Sequence, residues 1–261
     1  MGLKLDVILG AILLATAPLV AVADEPALDA TDPVQMEIAA GLYERGAAAL
    51  SSGQSEEAVR LLEEGLAIWR TGLGDSHPSV ALGLDTLGRS LRVLGRYELA
   101  RSRFEEALAI RLEVLGEEDL DTAATMNNLA LVLHDQGDFA AARPLYEQSL
   151  RVRRALLGED HTDVADSVNN IATLVEDLGD YPAARVLYEE SIAIYRTQGD
   201  DNPSVATGLN NLALLLYRMG ETEDVRPLLE ESLTIRRRVY DDSHLLVATS
   251  LNNLAGLLLA S

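Results

Sequence analysis

Four asparagine pairs are the polar groups of this sequence best suited to recognition: Asn127-Asn128, Asn169-Asn170, Asn210-Asn211 and Asn252-Asn253. A side-chain amide both donates and accepts, so amides at a fixed spacing match the alternating N–H and C=O groups of an extended peptide. The first members of the pairs are Asn127, Asn169, Asn210 and Asn252. The second members lie about 100° further round a helix, where hydrogen bonds between helices are expected instead. Arg89, Arg92, His134, Tyr217 and Arg218 are the further candidate recognition side chains, four to eight residues beyond that register. Arg89 and Arg92 stand one helical turn apart, the spacing for gripping a carboxylate unless neighbouring acids claim them.

Catalytic constellations do not emerge. His77, His161 and His244 recur in equivalent loops two repeats apart, too far for one metal, and read as caps for the helices that follow. The acidic pairs Glu63-Glu64, Glu105-Glu106, Glu189-Glu190 and Glu230-Glu231 recur at one place and read as a solvated face. No glycine run has a phosphate-cradling spacing with a lysine beside it. There is no cysteine, which excludes disulfides, thiolate metal sites and thiol nucleophiles. The expectation is a non-enzyme without cofactor or metal.

The elements that carry these residues repeat. The asparagine pairs are offset by 42, 41 and 42 residues. Gly53, Gly95, Gly137, Gly179 and Gly220 keep that step, as do Leu62, Phe104, Tyr146, Tyr188 and Leu229. Val205, Leu209, Leu212, Ala213 and Leu216 form one helical stripe, Gly220 breaks it, and a second amphipathic stretch follows. Two such helices cannot bury their apolar faces alone, so stacking of successive pairs into an all-α solenoid is expected. Repeats are placed at 34–77, 78–119, 120–161, 162–202 and 203–244, with an unpaired C-terminal helix at 245–261. Pro144 and Pro227 are expected inside second helices, bending them.

Small and glycine columns (Ala130, Gly137, Ala142), an aromatic after the turn (Tyr97, Phe139, Tyr181) and Tyr146/Tyr188 resemble the tetratricopeptide repeat pattern. The long period, Leu-Asn-Asn-Leu-Ala and Ala142-Arg143-Pro144-Leu145-Tyr146 look like its kinesin light chain type. That resemblance covers about residues 34 to 261 and implies a right-handed superhelix whose first helices line a concave groove. Counted back from the turn glycine, it implies that Asn127, Asn169, Asn210 and Asn252, with Arg89, Arg92, His134, Tyr217 and Arg218, face that groove. It implies a protein or peptide partner held there. The alternative is an accessory or regulatory subunit of an envelope enzyme or transport assembly, docking by its convex or C-terminal surface.

Residues 1–23 read as a secretory signal, with Lys4, an uncharged run from Val7 to Val22 and the small-x-small site Ala21-Val22-Ala23. Residues 24–33 read as a flexible lead-in. Export to a bacterial periplasm is expected, the alternative being an uncleaved N-terminal anchor; no membrane insertion is expected after signal removal. A net charge of −21 argues against nucleic acid and anionic membrane as partners. The apolar end of the last helix, with Leu257 and Leu258, is expected to support self-association.

Overall fold

The computed structural model describes residues 32–260, with side chains described as far as 256. The signal, residues 24–31 of the lead-in, and the side chains of Leu257 and Leu258 lie outside the described residues. Eleven helices and no strands are found among them: α1 (Pro33–Ser51), α2 (Ser55–Leu73), α3 (Pro78–Val93), α4 (Tyr97–Val114), α5 (Leu120–Asp135), α6 (Phe139–Leu157), α7 (Thr162–Asp177), α8 (Tyr181–Thr197), α9 (Pro203–Met219), α10 (Val225–Val239) and α11 (Leu245–Ala260). None of these helices is long and apolar enough to cross a membrane.

Local sequence sets the helix ends. The odd-numbered helices begin at side-chain caps: Asp32, Asp119 and Asn202 use an oxygen, and His77, His161 and His244 use Nδ1, to accept a backbone N–H of the first turn. The three loop histidines are therefore helix caps. The turns within repeats close on glycines with positive φ, from 71° at Gly95 to 86° at Gly179, which a side chain would strain. Pro144 sits inside α6, which continues through it. Pro227 sits inside α10 but only in its first turn, since α10 starts at Val225, so its missing N–H costs no helical bond, unlike the loss expected for a proline several residues in.

Each helix packs on the next in sequence, giving an all-α solenoid of helical hairpins. Even-numbered helices supply the large core side chains Leu62, Phe104, Tyr146, Tyr188 and Leu229, all essentially fully buried. Across from them lie Gly46, Gly88, Ala130, Ala172 and Ala213 of the odd helices, small enough to admit a large neighbour. Odd helices also touch directly, α1 with α3, α3 with α5 and α5 with α7. Even helices are bridged by long Arg–Glu pairs, among them Arg70–Glu106, Arg154–Glu190 and Arg196–Glu231. Elements on the inside of a curve crowd together, so the odd helices form the inner wall.

Candidate functional site

The inner wall carries two parallel ladders of polar side chains. In the first, the second amide of each repeat donates from Nδ2 to the first polar residue of the repeat before it: Asn128 to Asp85, Asn170 to Asn127, Asn211 to Asn169 and Asn253 to Asn210, at 3.2, 3.1, 3.2 and 2.7 Å. Asp85 can only accept, which fixes the direction of the first rung. The second members thus hold repeats together. Asn127, Asn169 and Asn210 do so as well, through Oδ1, whereas Asn252 joins no rung; among the described residues the Nδ2 atoms of these first members have no protein partner.

The second ladder lies seven residues further along the same helices. Arg92 pairs with Asp135 at 2.6 Å, His134 with Asp177 at 2.8 Å, and Glu176 with Arg218 at 2.8 Å. Glu176 is buried and also accepts the Tyr188 hydroxyl at 2.7 Å. Arg92, His134 and Arg218 are therefore engaged in bonds between repeats, and of the three Arg218 stays exposed while it is paired. Their acids lie one period away in sequence but one helix away in space.

A hollow of about 620 Å³ opens on this wall, lined by Arg89, Asn127, Leu131, Asn169, Arg153 and Tyr195 among others. Arg89 is exposed and, among the described residues, forms no ion pair. Thus Arg89 does not work with Arg92 as a two-arginine clamp: it stands alone. Tyr217 and Asn252 line a separate hollow of about 290 Å³ with Leu214, Val225, Leu229 and Gly256. Asn210 is buried and lines neither.

The floor of the larger hollow includes groups that the repeat pattern did not single out. Arg153 of α6 is buried and donates to the Asp163 carbonyl at 3.0 Å and to Ser167 Oγ at 2.9 Å. Arg111 does the same with Asp121 and Thr125, and Arg236 with Leu246 and Ser250. At the same register the second helices of repeats 1 and 4 carry Trp69 and Tyr195, and the facing residue is then Gly83 or Gly208. A Cβ on Gly83 would meet the Trp69 ring at 3.2 Å, and one on Gly208 would meet Ile192 at 2.6 Å. Arginine thus meets a hydroxyl, and Trp69 meets Gly83, while Tyr195 turns its hydroxyl to Asp166 and the group nearest Gly208 is Ile192.

Electrostatics differ along the floor. Tyr195 donates to Asp166 Oδ1 at 2.6 Å. Burial pushes the Asp166 carboxyl above the usual range against the pull of that hydroxyl and of Arg153, and Asp163 adds repulsion. Burial also lowers Arg153 and raises Tyr195. No cluster of three side chains able to hold a metal occurs among the described residues.

The sequence matches the tetratricopeptide repeat family over residues 37–113, 83–155, 121–197 and 204–261. The chain belongs to that family. Among solved structures, the repeats resemble those of BtubC (BKLC) from P. vanneervenii, at 22% identity and a TM-score of 0.67 over 80% of this chain and 84% of that one. They resemble equally the nearly identical TPR-like repeats from Podosopora anserina, assigned by name to a kinesin light chain, at 24% identity and a TM-score of 0.63 over 79% and 98%. A third likeness is the Rap conjugation gene regulator of plasmid pLS20, solved with the Phr* peptide, at 14% identity and a TM-score of 0.65 over 82% and 62%. No curated protein matches the chain. The tetratricopeptide assignment explains the small and aromatic columns, while the kinesin-light-chain-like period explains the helix lengths.

Proposed function

We propose that the protein is a non-catalytic interaction scaffold that holds an extended segment of a partner protein against its inner wall. The observation that carries this is the 620 Å³ hollow in which exposed Arg89 and the Asn127 and Asn169 amides face one space. The unshared Nδ2 groups offer donors to peptide carbonyls, and Arg89 offers a fixed cation to a side-chain or terminal carboxylate. The presence of a peptide in the Rap regulator complex agrees with such use of this fold. A random dodecapeptide library panned on the folded protein supplies the test. Selected peptides should lose about tenfold or more in affinity (about 1.4 kcal/mol) with Arg89→Glu and with Thr207→Trp, which fills the hollow. Retention of binding by both variants would overturn the reading.

The alternative, an accessory subunit docking by its C-terminal surface, is favoured by the apolar hollow beside Tyr217 and Gly256. A partner lost on Leu214→Asp and kept on Arg89→Glu selects it. Self-association at the same end would give a mass above the monomer in light scattering. We further propose export with cleavage after Ala23, tested by N-terminal sequencing of the mature protein recovered from the periplasmic fraction.

A further inference from the structure

We infer that the loop edge between the second and third helical hairpins is a separate docking site, for a basic segment of a partner protein that inserts an apolar side chain. A hollow of about 200 Å³ opens there, between the start of α3 and the end of α4, lined chiefly by Pro78, Leu82, Ile110, Val114 and Leu115. Leu82, Val114 and Leu115 remain 40%, 47% and 42% exposed. One hairpin later the corresponding places hold Ala124, Leu156 and Leu157, and two hairpins later Asp166, Gln198 and Gly199, so Leu82 beside an apolar helix end is particular to this edge and not a requirement of the repeat.

The charge around it is equally particular. In the other inter-repeat loops an acid is paired with an arginine: Asp75 with Arg70, Glu159 with Arg154, Asp201 with Arg238 and Asp242 with Arg237. Here Leu112 occupies the register of Arg70 and Arg154, and Gln148 occupies that of Glu106 and Glu190. The pair that bridges even helices elsewhere is thus absent on both sides, and Glu117 accepts only the Gln148 amide, at 3.3 Å. Glu113, Glu117, Glu118 and Asp121 are exposed and, among the described residues, form no ion pair. The apolar socket is lined also by Asp121 and by buried Arg111, which Asp85 neutralises at 3.6 Å, and exposed Glu113, Glu117 and Glu118 follow on the same helix end and loop. On a chain of net charge −21 this edge selects a cationic segment and repels an acidic one. The socket requires nothing of the Arg89 hollow.

The probes are three labelled dodecapeptides: a Leu-Leu core flanked by Lys and Arg, the same core flanked by Asp and Glu, and the basic flanks around Ser-Ser. Anisotropy titrations of the full chain should show binding of the first alone, weakening about tenfold or more from about 50 to 300 mM salt as surface charges are screened. Leu82→Arg and Val114→Arg, both at exposed positions, should each weaken it about tenfold. The double variant Leu112→Arg/Gln148→Glu restores the regular pair; it should melt no lower than the parent and bind several-fold more weakly. Arg89→Glu should bind unchanged. Equal binding of the Ser-Ser peptide, binding undiminished by the Leu82 and Val114 variants, loss of binding with Arg89→Glu, or an edge occupied by a second copy in light scattering would each overturn the proposal.

Discussion

Asn128 reaches back across one helical hairpin to place Nδ2 3.2 Å from both carboxylate oxygens of Asp85. Asp85 is buried, lies 3.1 Å from the Thr125 hydroxyl and stands 3.6 Å from Arg111. It begins the amide ladder and also neutralises the first of the buried arginines. Asp85→Ala should therefore cost about 2–4 kcal/mol, because it strands a buried donor and a buried cation together. Asp85→Asn, which keeps an acceptor for Asn128, should cost about 1 kcal/mol. Urea unfolding followed by circular dichroism measures both.

The arginine–hydroxyl and aromatic–glycine pairings predict a compensated exchange. Arg153→Ala leaves Ser167 and the Asp163 carbonyl without their donor and should cost about 2–4 kcal/mol. Arg153→Tyr alone should be at least as damaging, since Ser167 blocks the larger ring. Adding Ser167→Gly reproduces the aromatic–glycine contact of Trp69 and Gly83 and should recover about 1 kcal/mol or more in a double-mutant cycle.

Asp166 predicts an unusual pH dependence. Its folded-state carboxyl is raised by burial, so its contribution is most favourable while it is protonated and is lost as pH rises through the folded value. Asp166→Asn keeps an acceptor for Tyr195 without the buried charge. The variant should melt above the parent at pH 7, and the difference should close as the pH falls below the ordinary carboxylate range. Paired thermal melts across pH 3 to 8 test the sign.

Gly88 and Phe104 predict a matched repair. A Cβ on Gly88 would stand 2.8 Å from the Phe104 ring, so Gly88→Ala should destabilise by about 1–2 kcal/mol even after its gain in helix propensity. Phe104→Leu in the same chain recreates the small–large combination of Ala213 with Leu229 and should recover part of that loss. The single tryptophan, Trp69, is buried in the neighbouring hairpin and reports the local transition by fluorescence.

The helices were legible because their apolar stripes and glycines repeat within a few residues of one another. The tendency of the second asparagines to join repeats was legible from their place on the packing side. The engagement of the first asparagines was less so: an amide has two ends, and Oδ1 of Asn127 is held by Asn170 while Nδ2 is not. Arg92, His134 and Arg218 looked open because their partners stand 42 or 43 residues away. The signal that would have found them is the seven-residue step, which carries Asp85–Asn128 onto Arg92–Asp135. Arg153 and Tyr195 escaped notice because their role depends on aligning a second helix with the first helix of the next hairpin.

The charged ladder also gives the stack a fixed reading order. Its rungs put the basic residue on the earlier repeat at Arg92–Asp135 and His134–Asp177, and on the later repeat at Glu176–Arg218. Excising residues 120–161 would splice Arg92 opposite Asp177 and Asp85 opposite Asn170, both compatible neighbours. Excising 162–202 instead would bring His134 against Arg218, two basic residues with no carboxylate between them. Hairpins that look interchangeable by shape are thus keyed by polarity, and gene-level shuffling of this array is tolerated at one joint and penalised at the next.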